Sequence, residues 1–138
     1  MRGFLLDTNV VSELVKPVPE PLVIKFLTRP DLWLSTITLH EMDFGLNLLP
    51  AGRRRERLSL ALLALASGYE DRILPIGRSE ARQAATLRAV AHRSGRVLHL
   101  ADALVAGIAK ANDLWVATRN VGDFNGLDID VTNPWDAA

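Results

Sequence analysis

Four acidic residues, Asp7, Glu41, Asp102 and Asp123, carry the chemistry this sequence is best equipped to perform. The chain has no cysteine, which removes disulfides, thiolate nucleophiles and Cys-ligated zinc. Its three histidines, His40, His92 and His99, lack the H-E-x-x-H or a similar zinc spacing. An oxygen-ligand site for a hard divalent cation survives this elimination. Such an ion lowers the pKa of a bound water and neutralises charge building on a phosphodiester. Acids gathered without histidine or cysteine therefore suit phosphoryl transfer better than acyl transfer.

Each acid also has an ordinary structural use. Asp7 suits the cap of a helix starting at Thr8, and Glu41, beside His40 and Asp43, suits a solvated helix face. Asp123, in the turn sequence Asn120-Val-Gly-Asp123, suits local backbone bonding. Asp102 would be favoured by the macrodipole in a first helical turn. Yet it is the only formally charged residue between Arg96 and Lys110. Burying it there without a partner would cost several kcal/mol.

The elements that must position these acids follow from the apolar pattern. Phe4-Leu5-Leu6 reads as a buried strand ending at Asp7, and Thr8 to Lys16 as a helix stopped by Pro17. Pro21 suits the first position of a helix running to about Thr28. Leu32-Trp33-Leu34 is a second strand, followed by a helix capped at Thr36 or Thr38 that carries Glu41. Helices are expected over Gly52 to Ser67, Ser79 to His92 and His99 to Asn112. Ile73 to Ile76 is a weaker strand interrupted by Pro75, Trp115 to Ala117 a strand, and Ile129 to Val131 a last edge strand. Short apolar strands alternating with helices predict one three-layer α/β/α domain over residues 1–138, with a central, mostly parallel sheet. Ligands of such sheets bind beyond the carboxyl ends of the strands. Right-handed crossovers then let all four acids converge on one rim.

The chain's 138 residues suit one domain. A chain of that length buries about two-thirds of its unfolded surface, so a metal would serve chemistry rather than hold the fold. Sixteen basic residues balance sixteen acidic ones, which argues against a nucleic-acid coat protein but not against an enzyme of nucleic acid. The apolar run before Asp7 is too short for a signal-peptide core. The stretch from Leu58 to Ala66 is too short to span a bilayer, so no membrane contact is expected and the location expected is the cytoplasm.

LLDTNVVSEL (Leu5 to Leu14), the Glu of LHEMDFGL, LADALVAGIA and VATRNVGDF resemble, in order and spacing, the signature segments of PIN-domain nucleases. The resemblance is to VapC-type toxins of toxin–antitoxin modules, especially the FitB-like branch, and extends to the closing Asn133-Pro134-Trp135. It implies a PIN-like fold and a Mg²⁺-dependent endoribonuclease, with Mn²⁺ as a possible substitute, neutralised by a VapB-like antitoxin. It implies Asp7 and Asp102 as the principal metal ligands, Glu41 completing the acidic shell, and Asp123, at a position that varies in this branch, as a fourth acid acting through water. Thr8, Asn9, Thr118 and Asn120 match positions that orient these acids or contact substrate phosphate. A homodimer is implied, with larger assemblies alongside antitoxin, and DNA is met only through that partner.

Arg119, within Thr118-Arg119-Asn120, is a candidate for substrate contact or for an ion pair with a rim acid. The cluster Arg53, Arg54, Arg55 and Arg57 is more readily the solvated start of a helix than a grip on RNA. Trp33, Trp115 and Trp135 are candidates for stacking on bases, but Trp33 and Trp115 sit in strands and read as core. Leu58 to Leu65 offers an antitoxin groove, a dimer face or core. A second class of function is a catalytically silent module that binds a DNA-binding antitoxin and co-represses its operon. A phosphatase of the haloacid-dehalogenase type ranks low, since Asn9 stands where its general-acid Asp is needed.

Overall fold

The computed structural model describes residues 3–136. Five strands, β1 (Phe4–Leu6), β2 (Leu32–Ser35), β3 (Ile73–Leu74), β4 (Trp115–Ala117) and β5 (Val131–Thr132), form one sheet in the order β3-β2-β1-β4-β5. Every pairing is parallel, with Leu5 opposite Trp33 on one side and Val116 on the other. All carboxyl ends therefore share one edge.

Helices α1 (Thr8–Val11), α2 (Pro21–Phe26), α3 (Thr36–Leu48), α4 (Arg53–Gly68), α5 (Arg78–Arg93) and α6 (Leu100–Ala111) complete the α/β/α layering. Successive strand residues point to opposite faces. Leu5 and Val116 pack with Leu87 of α5 and Val105 and Ile108 of α6. Leu6, Leu34 and Ala117 pack on the other face with Val10, Val11 and Val23. Helix α6 precedes β4 and runs back against it, which brings its N-terminus to the carboxyl edge of the sheet. Helix α3 leaves β2 from that same edge, capped not by Thr36 or Thr38, which lie inside the helix, but by Ser35, whose Oγ accepts the Thr38 N–H.

Three elements depart from the sequence expectation. The helix expected over Thr8 to Lys16 stops at Val11 and tightens into a 3-10 turn over Ser12–Val15. Ser12 Oγ donates to the Thr8 carbonyl at 2.8 Å, a side-chain bond that competes with the helical ladder. Strand β3 ends at Leu74, because Pro75 has no N–H to offer. Strand β5 lies later than Ile129 to Val131, since the Ile129 N–H closes a tight turn onto the Leu127 carbonyl.

Candidate active site

Asp7 is the residue around which the carboxyl edge is organised. It directly follows β1, the central strand, and is only 7% exposed. One carboxylate oxygen accepts the Thr8 N–H at 2.9 Å and caps α1. The other accepts the Thr118 hydroxyl at 2.8 Å and the Asn9 amide at 3.4 Å. Thr118, fully buried just past β4, also accepts the Asn9 amide at 3.3 Å and the Asn120 N–H at 3.1 Å. The Arg119 N–H donates to Asn9 Oδ1 at 3.1 Å. The expected polar residues thus join two strand ends, separated by more than a hundred residues, into one hydrogen-bonded network. The helix cap and the network to Thr118 use different oxygens of Asp7.

A cavity of about 400 Å³ opens at this edge, lined by Asp7, Thr8, Asn9, Glu41, Asp102 and Asn120, with Val105 among its apolar walls. Glu41 reaches it from α3 and Asp102 from the first turn of α6. Burial pushes the Asp7 carboxyl above its usual range, against the hydrogen bonds from Thr118 and Thr8, and the charges of Asp123 and Glu41 push it further. Burial also raises the Asp102 carboxyl, followed by repulsion from Asp7 and Asp123, with His99 opposing and Glu41 adding to the rise. The four acids feel one another, but they are not equivalent. Asp123 is exposed in the 3-10 turn Val121–Phe124 and does not line the cavity.

Among the described residues, no three Asp, Glu or His side chains stand together as a ready-made cage for an ion. Mg²⁺ does not need one: it keeps several waters and is held by one or two carboxylates. An oxygen-only cavity with two acids whose negative charge is disfavoured fits such an ion. Asp7, Asp102 and Glu41 line the cavity itself, while Asp123 stands on the neighbouring turn with its charge felt by both Asp7 and Asp102.

Sequence reasoning missed two supports. Arg96 donates from Nη2 to the Gly122 and Asp123 carbonyls, at 3.1 and 3.0 Å, and so pins the turn bearing Asp123. Glu13, 3% exposed, accepts the Glu20 N–H at 2.9 Å and pairs with Lys16 at 2.8 Å. Nothing in the local sequence marks either residue. The arginine cluster is partly structural, since Arg55 donates to Asn47 and to the Leu49 carbonyl beyond α3. Leu58 and Leu62 line a groove of about 250 Å³ with Met42 and Leu46, and it shares Thr8, Ser12 and Glu41 with the acidic cavity. Leu60 and Leu63 point outward, 68% and 65% exposed. Trp33 packs against one core and Trp115 lies 6.1 Å from the Phe4 ring, so neither serves as a stacking platform.

This parallel sheet, with an acid buried at its central carboxyl edge, defines a three-layer α/β/α domain with a ligand-binding edge, and comparison places it more closely. The PIN domain family model matches residues 4–128. The chain is 39% identical to the VapC ribonuclease Y4jK of Sinorhizobium fredii, over 97% of this chain and 99% of that protein. It is also 39% identical to toxin FitB of Neisseria gonorrhoeae, over 95% and 97%. The crystal structure of FitAcB from Neisseria gonorrhoeae superposes with a TM-score of 0.90 at 36% identity, covering 97% of this chain and 99% of that one. The chain belongs to the PIN-domain family, and its full-length relatives are VapC- and FitB-type proteins. No helix among the described residues is long and apolar enough to cross a membrane.

Proposed function

We propose that residues 1–138 form one PIN domain that acts as the toxin of a VapBC-type module: a cytoplasmic, Mg²⁺-dependent endoribonuclease neutralised by a VapB-like antitoxin. The observation that carries this reading is the confinement of Asp7 and Asp102 in one cavity where burial and the charges of neighbouring acids disfavour their ionised forms. Asp7 and Asp102 would hold the ion, Glu41 would complete the acidic wall, and Asp123 would act from the turn through water. When bound, Mg²⁺ or Mn²⁺ would activate a water and neutralise phosphodiester charge; attack of that water on phosphorus with cleavage of the P–O3′ bond would leave a 5′-phosphate and a 3′-hydroxyl. Thr118 and Asn9 fix the Asp7 carboxylate through their hydrogen bonds. Thr8 and Asn120 line the mouth where the scissile phosphate enters, and Arg119 contacts the RNA chain. The apolar groove between α3 and α4 supports an antitoxin site, because an occupant there would abut Glu41. A homodimer accords with this class.

The test is cleavage of single-stranded RNA by the purified chain with Mg²⁺, Mn²⁺ or EDTA. Partners outside a metal's ligands are typically worth 10–100-fold, so Asp7→Asn is expected to lower cleavage by about a hundredfold or more. Full activity in that variant, or in EDTA, removes the proposed role. Antitoxin binding without cleavage of any RNA would favour the silent co-repressor instead.

A further inference from the structure

The hydrogen-bonded network below the acids continues to a residue outside the catalytic set. The Arg119 guanidinium carbon lies 5.1 Å from the centre of the Trp135 ring. The sheet register brings the two segments together. The Thr118 N–H donates to the Thr132 carbonyl at 2.9 Å, so the chain leaves β5 beside Arg119. It then turns through buried Pro134, and Asn133 Oδ1 accepts the Trp135 N–H at 2.9 Å. The Trp135 ring packs against the core that contains Leu6, Val10, Val11 and Ala117. Its position is therefore fixed from beneath. At its backbone, Arg119 is tied to Asn9, which lines the acidic cavity.

We propose that Trp135 is a positioning residue that holds the Arg119 guanidinium, whose residue adjoins Asn120 of the cavity wall, as the contact for a phosphate of the RNA chain. This inference rests on the reading of the protein as a ribonuclease. Stacking engages only the flat face of a guanidinium and leaves its in-plane N–H donors free, which is the geometry for gripping phosphate oxygens. Among the described residues, the Arg119 side chain donates to no protein acceptor and forms no ion pair with an acid of the cavity. The buried Glu13 carboxylate supplies the nearby negative charge, since Arg119 contributes to holding that carboxyl below its usual range. An arginine drawn instead onto Asp7 or Asp102 would neutralise the acids needed for the ion. Trp135 keeps this cation off those acids.

The experiment measures binding of a short, labelled, mixed-sequence single-stranded RNA to the full chain by fluorescence anisotropy in EDTA, so that no metal or turnover enters. Arg119→Ala and Trp135→Ala are each expected to weaken binding about five- to tenfold, in keeping with the loss of one stacked cation. The double variant should be no weaker than Arg119→Ala alone, because Trp135 acts through that residue. The slope of log Kd against log salt should flatten by about 0.7 in Arg119→Ala, the signature of one lost phosphate contact on a single strand. Trp135→Phe keeps a ring and should recover most of the affinity. A purely structural role for Trp135 would lower the melting temperature without this pattern. If Trp135→Ala does not fold, Arg119→Lys decides: it keeps the charge, loses the flat face, and should bind measurably less tightly than the native chain.

Native affinity in both Trp135→Ala and Arg119→Lys, or additive losses in the double variant, overturns the inference. RNA binding that follows the expected pattern without metal-dependent cleavage overturns the ribonuclease reading and leaves the Trp135 role standing. Cleavage that persists while Trp135→Ala binds RNA like the native chain does the reverse. Absence of any RNA binding by the native chain sinks both.

Discussion

Among the described residues no hydrogen bond to the Asp102 carboxylate is found, and its compensation is its place in a first helical turn and the nearby His99. Burial, then the charges of Asp7 and Asp123, raise its proton affinity above the ordinary value of 3.8. A carboxyl whose folded pKa is raised favours the fold while protonated, and that advantage is lost as pH rises through the folded value. At neutral pH the charged Asp102 therefore burdens the metal-free protein. Asp102→Asn should raise the metal-free melting temperature by roughly 2 °C at pH 7, corresponding to about 0.5 kcal/mol once solvent screening of this half-buried group is allowed for. Near pH 3.5 the gain should vanish. Thermal scans at the two pH values check this, and a variant less stable at pH 7 would mean that Asp102 is stabilised where it stands. Glu13 has the opposite sign: Lys16 and the Glu20 N–H hold its carboxyl below the usual range, so its contribution is lost as pH falls.

Helices α5 and α6 approach so closely that a side chain at Gly107 has no room. A Cβ there would lie 2.6 Å from the Glu80 carbonyl oxygen and 2.6 Å from the Ala84 nitrogen, both rigid backbone atoms. Gly107→Ala should therefore destabilise by about 1–3 kcal/mol despite the better helix propensity of alanine, since overpacking outweighs a gain of about 1 kcal/mol. Urea unfolding measures it, and a stabilised variant would mean that the helices separate freely. The parallel layering was legible because β1, β2 and β4 are unbroken apolar runs, and the carboxyl-edge rule then located Asp7, Glu41 and Asp102. What stayed hidden depends on contacts distant in sequence or on short backbone detail. Ser12 gave no sign that its hydroxyl would end α1, and Glu13 reads as a solvated acid until the chain folds Glu20 back onto it. That Asp123 stands beside the cavity rather than lining it could not be read from composition, which does not give a turn's direction. Trp135 was recognisable as part of a closing motif, whereas its contact with Arg119 needed the register of β5 against β4.

At the scale of the whole molecule, a net charge of zero conceals a local concentration of negative charge at one edge of the sheet. A divalent ion bound there stabilises the fold in proportion to its affinity. Protons compete for Asp7 and Asp102, whose carboxyls are both raised. The rise in melting temperature produced by millimolar Mg²⁺ should therefore be larger at pH 8 than at pH 5, and should shrink in Asp7→Asn. An equal increment at both pH values would place the ion elsewhere.

The two margins of the sheet constrain how another polypeptide could take hold. Strands β3 and β5 are each two residues long, and a proline follows each within two residues: Pro75 after Leu74 and Pro134 after Thr132. Neither rim offers an incoming extended peptide a run of backbone donors and acceptors on which to add itself as a further strand. Whatever protein restrains this one must read helical surfaces and grooves, by side-chain shape, and cannot rely on main-chain zippering.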